Sequence, residues 1–173
     1  MLKVNITSSQ GFSPEQTKKL VSVKDKLEIA LNSEIFKTSV VDFRYDGDRT
    51  FYYRKNLFGR FIDKPYSNQQ VYDIIITGTE LPGNIALNQM DLYLVLLPSI
   101  NPTVVGYGNP GSREIYTYRN WFEKFTEAEY AAHITHEWCH KLGFDHSHNH
   151  TRKRKYSVPY AIGDLVEELI EHI

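Results

Sequence analysis

One cysteine, Cys139, stands alone in the 173 residues, so no disulfide can form within the chain and the fold has to hold by burial. That suits a reducing compartment. The cytoplasm is the default expectation, although export by another route also fits a chain without disulfides. No run approaches the roughly 18 apolar residues of a transmembrane helix. The opening Met1-Leu2-Lys3-Val4-Asn5-Ile6-Thr7 has no apolar stretch of signal-peptide length. Charge of either sign is also lacking in excess: 20 Lys and Arg against 21 Asp and Glu leave −1. The balance gives no reason to expect a nucleic-acid or membrane partner. No internal repeat, low-complexity tract or long linker interrupts residues 1–173, so a single domain is expected, as a monomer. Its length suffices to bury a real core.

Local signals then lay out the elements. Leu2, Val4 and Ile6 alternate with polar residues, as in a half-buried strand. Ser13-Pro14-Glu15-Gln16 supplies an N-cap, a proline at the first helical position and a capping-box glutamine. A helix of about 18 residues should follow, burying Leu20, Val21, Val23, Leu27 and Leu31. Lys37–Tyr45 reads as a second strand, and residues 46–66 read as polar, aromatic and irregular. Ser67 can cap a short helix through Val71, Ile74 and Ile75. Leu92–Leu97, stopped by Pro98, has the form of a central strand. A dense set of turn signals follows, from Asn101-Pro102 to Gly108-Asn109-Pro110-Gly111. Glu114–Arg119 alternates again and predicts a strand near an edge. Thr126 and Glu129 form a capping box for a helix that ends at Gly143, and Asp164 can cap a last amphipathic helix to Ile173. The order β, α, several β, α, loop, α argues an α+β sandwich on a mixed sheet.

Six of the seven histidines fall between positions 133 and 150. Within that stretch the chain reads His136-Glu137-Trp138-Cys139-His140-Lys141-Leu142-Gly143-Phe144-Asp145-His146. At about 100° per residue, His136 and His140 point within roughly 40° of each other, one turn apart, so two imidazoles on one rigid element can grip one ion. Glu137 lies about 100° round from His136, able to reach a water beside the ion without ligating it. Tyr130, Ile134 and Trp138 recur at intervals of four on the opposite face, which should pack on the core. Gly143 can take positive φ and turn the chain back, so that His146 brings a third nitrogen. Three protein ligands leave a coordination position open, the condition for a catalytic zinc. A chance match at five such positions is on the order of one in ten million per start.

The stretch resembles the signature of the metzincin zinc peptidases, His-Glu-x-x-His-x-x-Gly-x-x-His. The resemblance implies one catalytic Zn²⁺ held by His136, His140 and His146, with Glu137 as general base for the attacking water, and a peptide or protein as substrate. It also implies a zincin-like sandwich with a long N-terminal helix, an active-site helix and a C-terminal helix. In that clan an edge strand binds substrate, and Ile115, Tyr116, Thr117, Tyr118 and Arg119 are the matching candidates. A methionine turn beneath the zinc belongs to the pattern, yet the only methionines are Met1 and Met90. Residues 156–163 stand in that turn's place, with Pro159 where methionine is expected. The resemblance is therefore to a minimal, divergent, bacterial type. Tyr160 sits near the position of an oxyanion-stabilising tyrosine, one residue short, and Tyr156 is a weaker candidate.

Other residues fit quieter roles. His133 suits a supporting histidine better than a ligand, and Asp145 suits a hydrogen bond that orients an imidazole or the loop. His148 and His150 are alternative ligands at most, and Cys139 reads as a small packed residue. Arg152-Lys153-Arg154-Lys155 reads first as a solvated loop, and second as a rim favouring acidic substrate residues. Two other functions compete. Bacterial ribosomal-RNA-maturation endoribonucleases share the histidine spacing and a Gly-aromatic-Asp-His ending, but usually carry glycine where Glu137 stands. A non-catalytic metal-binding module would close the open position with a fourth ligand.

Overall fold

The computed structural model describes residues 1–45, 47, 51, 54–57, 60–63, 66–80, 87–98, 100–109, 111–147 and 149–173. In chain order these form β1 (Lys3–Gln10), α1 (Pro14–Leu31), α2 (Glu34–Val41), β2 (Arg54–Leu57), β3 (Arg60–Asp63) and α3 (Asn68–Thr77). Then come β4 (Gln89–Leu97), β5 (Gly106–Gly108), β6 (Glu114–Tyr118), α4 (Arg119–Phe122), α5 (Glu127–Lys141), α6 (Arg152–Lys155) and α7 (Val158–Glu171). The class is α+β: four strands form a mixed sheet in the order β1-β4-β6-β5, and β2 and β3 pair as a separate ribbon. β1, β4 and β6 run parallel, and β5 closes the edge antiparallel to β6.

The capping boxes at Ser13, Ser67 and Thr126 all form, each with the backbone N–H and the side chain of the third helical residue engaged. They start α1, α3 and α5 where local chemistry dictates. Leu92, Leu94 and Leu96 of β4 alternate into the core, joined by Leu2, Val4 and Ile115. α1 lays Leu20, Val23, Leu27 and Leu31 on this core, but Val21 is 49% exposed. Val21 stands about 100° from Leu20, off the stripe.

Three expectations are corrected. Lys37–Tyr45 is not a strand, because α2 occupies Glu34–Val41. The Ser33 hydroxyl accepts the Phe36 N–H at 3.0 Å, and Phe36 and Val40, one turn apart, are both sealed in the core. That burial outweighs the strand preference of Thr38, Val40 and Val41. Asp164 does not stand at the start of the last helix; Ser157 holds the N-cap position, without a side-chain capping bond, and Asp164 lies exposed within α7. Residues 156–163 comprise Tyr156 just after α6, then Ser157 and the first turns of α7. Finally, β6 lies near an edge but is not the edge strand that the resemblance implies: β5 lies outside it, and β1 is the opposite edge. Among the described residues, no helix is long and apolar enough to cross a membrane.

Candidate metal centre

α5 carries the site. Its core side is formed by Tyr130, Ile134, Trp138 and Cys139, each at most 1% exposed. The Trp138 indole N–H donates to Glu80 Oε1 at 2.8 Å, and Glu80 Oε2 also holds the buried ammonium of Lys141 at 2.9 Å. One carboxylate thus pins this side of α5 at two points. From the other side α7 comes close because Gly163 has no side chain: a Cβ there would stand 3.1 Å from the Ala132 carbonyl oxygen and 3.6 Å from the His136 Cβ.

At its C-terminus α5 closes in a Schellman motif. Gly143 takes φ 92°, its N–H donates to the His140 carbonyl at 3.0 Å, and the Phe144 N–H donates to the Cys139 carbonyl at 3.1 Å. The reversal buries Phe144 and returns His146 to the helix. His136, His140 and His146 then form a cluster in which one ligand atom from each lies within 4.8 Å of the others. The Nε2 atoms of His136 and His146 are 3.2 Å apart. Two nitrogens bound to one ion at about 2.0–2.1 Å and a tetrahedral angle stand roughly 3.3 Å apart, so this spacing fits a shared ion.

The surrounding bonds set the tautomers. His140 Nδ1 faces the Phe144 carbonyl at 2.9 Å, and His146 Nδ1 faces the Ser147 carbonyl at 3.2 Å. A carbonyl can only accept, so each Nδ1 carries the proton and each Nε2 presents its lone pair. Asp145 takes the orienting part expected of it: its Oδ1 accepts the His146 backbone N–H at 2.7 Å and lies 3.7 Å from His140 Nδ1. Burial, reinforced by the mutual repulsion of imidazolium charges, holds His136 well below the usual histidine range and His146 at about 4. His136 and His146 are therefore neutral near pH 7, which is the ligating form. Three imidazoles suit zinc, copper, iron or nickel alike.

Glu137 is buried, and its carboxylate turns toward the sheet edge, where Oε2 accepts the Gly108 N–H at 2.7 Å. Burial raises it to about 7, while the Gly108 bond pulls the other way. Its Oε1 lies 3.7 Å from Nδ1 of His133, whose Nε2 is 3.0 Å from the Thr117 hydroxyl. His133 is buried, and desolvation pushes it down to about 4. β5 approaches this closely only as glycine: a Cβ on Gly106 would stand 2.8 Å from His133 Nε2, and one on Gly108 3.0 Å from the Glu137 carbonyl oxygen.

The remaining candidates divide. Tyr160 lies against the cluster, its ring 4.5 Å from that of His136 and 4.8 Å from that of His146. Tyr156 packs instead on Tyr45, at 4.3 Å between ring centres. In β6, Ile115 and Thr117 are buried toward the helices, and Tyr116 stacks on Tyr107 of the edge strand at 4.7 Å. Tyr118 ends the strand, and Arg119 belongs to α4, its guanidinium donating to the Gly11 carbonyl at 3.0 Å. Cys139 is fully buried and its thiol is pushed up by burial, as a packed residue requires. His148 lies outside the described residues, and His150 is exposed beside Arg154. Three features went unread in the sequence. Gly106 and Gly108 look like turn residues, His133 and Glu137 are an ordinary i, i+4 pair, and Arg154 lies within a basic run. No family model matches the chain, and no curated protein matches it either.

Proposed function

We propose that the chain is a zinc-dependent endopeptidase of metzincin-like build, acting on peptides or proteins. The observation that carries the reading is the convergence of three imidazoles at the helix that also bears the buried Glu137 carboxylate, itself bonded to the edge strand. Zinc held by His136, His140 and His146 would supply a Lewis acid for the scissile carbonyl and the attacking water.

The chain's own groups do the rest. Glu137 takes the proton of the attacking water and passes it to the departing amine. A carboxyl held at about 7 by burial serves both transfers, because it exchanges protons near neutral pH. The Gly108 N–H fixes one oxygen and leaves the other as the acceptor. Tyr160, ring against ring with two ligands, donates its hydroxyl to the oxyanion. The substrate strand is assigned to β5 rather than to Ile115–Arg119. β5 is the edge strand that touches Glu137, and an extended peptide can add to its open side in β fashion.

The test is cleavage of a diverse peptide library by the zinc-loaded protein, read by mass spectrometry, beside Glu137→Ala. Cuts made by the wild type and lost in the variant, with metal affinity kept, are expected. A variant retaining more than about a tenth of the wild-type rate would remove Glu137 from the base role. A zinc-loaded wild type that makes no cuts would count against the peptidase itself.

A further inference from the structure

We propose that Arg154 is a positioning residue for this centre, resting on the peptidase reading: it anchors the Tyr160 phenol against the ligand cluster and orients its hydroxyl proton toward substrate. The residue belongs to the basic run Arg152–Lys155, which is not a solvated loop but the one-turn helix α6. Its backbone is fixed by the start of the next helix. The buried Ser157 donates from its hydroxyl to the Arg154 carbonyl at 2.7 Å and from its N–H to the same oxygen at 3.1 Å.

From this anchor the side chain runs to the histidines. Nη2 donates to the Tyr160 hydroxyl oxygen at 2.6 Å, and the guanidinium carbon stands 5.1 Å from the centre of the Tyr160 ring. Nη1 lies 3.2 Å from His150 Nδ1, which restrains the fork from the far side. Tyr160 in turn sets its ring edge-on to His136, at 78° between planes, and beside His146.

The direction of the bond decides the role. A guanidinium has donors only, so the phenol oxygen must accept from Arg154. The phenol proton cannot go back to Arg154 and is left for another acceptor. A hydroxyl that already accepts a charged donor is also the stronger donor for its own proton. Arg154 thus works through Tyr160, by direction and by polarisation, and a developing oxyanion is the acceptor this pair is arranged to meet.

The prediction is a coupling. Binding of a phosphinic peptide of alanines, whose tetrahedral phosphinate mimics the reacting carbon, is measured by calorimetry on zinc-loaded protein. Acetohydroxamate, a small planar chelator, serves as control. The variants are Arg154→Met, which keeps the stem and removes every donor, Arg154→Ala, Tyr160→Phe, and the Arg154→Met/Tyr160→Phe pair. Each single change should weaken the phosphinic peptide about tenfold, and the pair should weaken it no further than Tyr160→Phe alone. Acetohydroxamate and zinc affinities should stay within about twofold throughout, a split that a merely structural loss would not give.

Losses that multiply in the double variant would show Arg154 acting directly on the ligand and overturn the proposal. So would Arg154 variants that bind like the wild type. A wild type that takes acetohydroxamate but not the phosphinic peptide would overturn the peptidase reading, and the proposal with it.

Discussion

The two faces of α5 come from one stretch of chain and are built to opposite rules. On the core face Tyr130, Ile134 and Trp138 sit in near-complete burial against the sheet and α1. On the other, His133 and Glu137 are buried almost as well, yet they bring nitrogen and oxygen atoms into the dry region. The first arrangement lowers the free energy of folding with each atom added. The second raises it, since desolvated imidazoles and a desolvated carboxylate are only partly repaid by Gly108, Thr117 and Phe144. Stability therefore resides on one face, and the groups that cost stability are gathered on the other, where a ligand can use them.

That contrast breaks or sharpens under mutation. The largest effect belongs to Trp138→Ala, which should cost about 3–5 kcal/mol in denaturant unfolding of the metal-free protein. A loss under 1 kcal/mol would mean the core face is not where stability lies. Glu80→Ala comes next. It strips the partner from the buried Lys141 ammonium and from the Trp138 N–H, and should cost about 2–3 kcal/mol, less than a fully buried pair because Glu80 is part-exposed.

Acid should single out the other face. His133 and His146 are held at about 4 and His136 well below its usual range, so the unfolded chain takes up protons first as pH drops below 6.5. Stability of the metal-free protein then falls between pH 6.5 and about 4. Glu137, raised to about 7, opposes this, because the folded chain keeps its proton where the unfolded chain has lost it. Three imidazoles against one carboxylate leave a net loss. Thermal melts at pH 7 and pH 5 should show it as a lower Tm in acid; a higher Tm in acid would reverse the assignment.

His146→Ala should change metal-free stability by less than about 1 kcal/mol while weakening zinc binding at least about a hundredfold in a chelator competition. Smallest of all, Val21→Ala should stay within about 0.5 kcal/mol, since Val21 lies off the buried stripe of α1.

Much of this was legible in the sequence wherever local chemistry decides alone. Ser13, Ser67 and Thr126 begin their helices by hydrogen bonds made within four residues, and Gly143 ends α5 by its own backbone freedom. The alternation of β4 and the pairing of His136 with His140 follow from the periods of strand and helix. What stayed hidden depends on distant neighbours. α2 is helical because Phe36 and Val40 find a core that the sequence does not display. Gly106 and Gly108 resemble a turn, but their missing side chains make room for His133 and Glu137 on a distant helix. Gly163 resembles a helix stop before Asp164, and is instead the point where α7 slides beneath His136.

The Schellman reversal after α5 has a further consequence. Because it returns His146 at once to the helix that bears His136 and His140, the whole ligand set spans only residues 136–146. An ion clipped across about ten residues restricts the unfolded chain roughly 2 kcal/mol less than one clipped across a hundred. If these histidines hold an ion, its cross-link would add little constraint to the unfolded chain, and its stabilisation would come from binding the folded form. On the proposed reading, the metal-free chain would keep its fold, and the ambient metal supply would set how much of it is active.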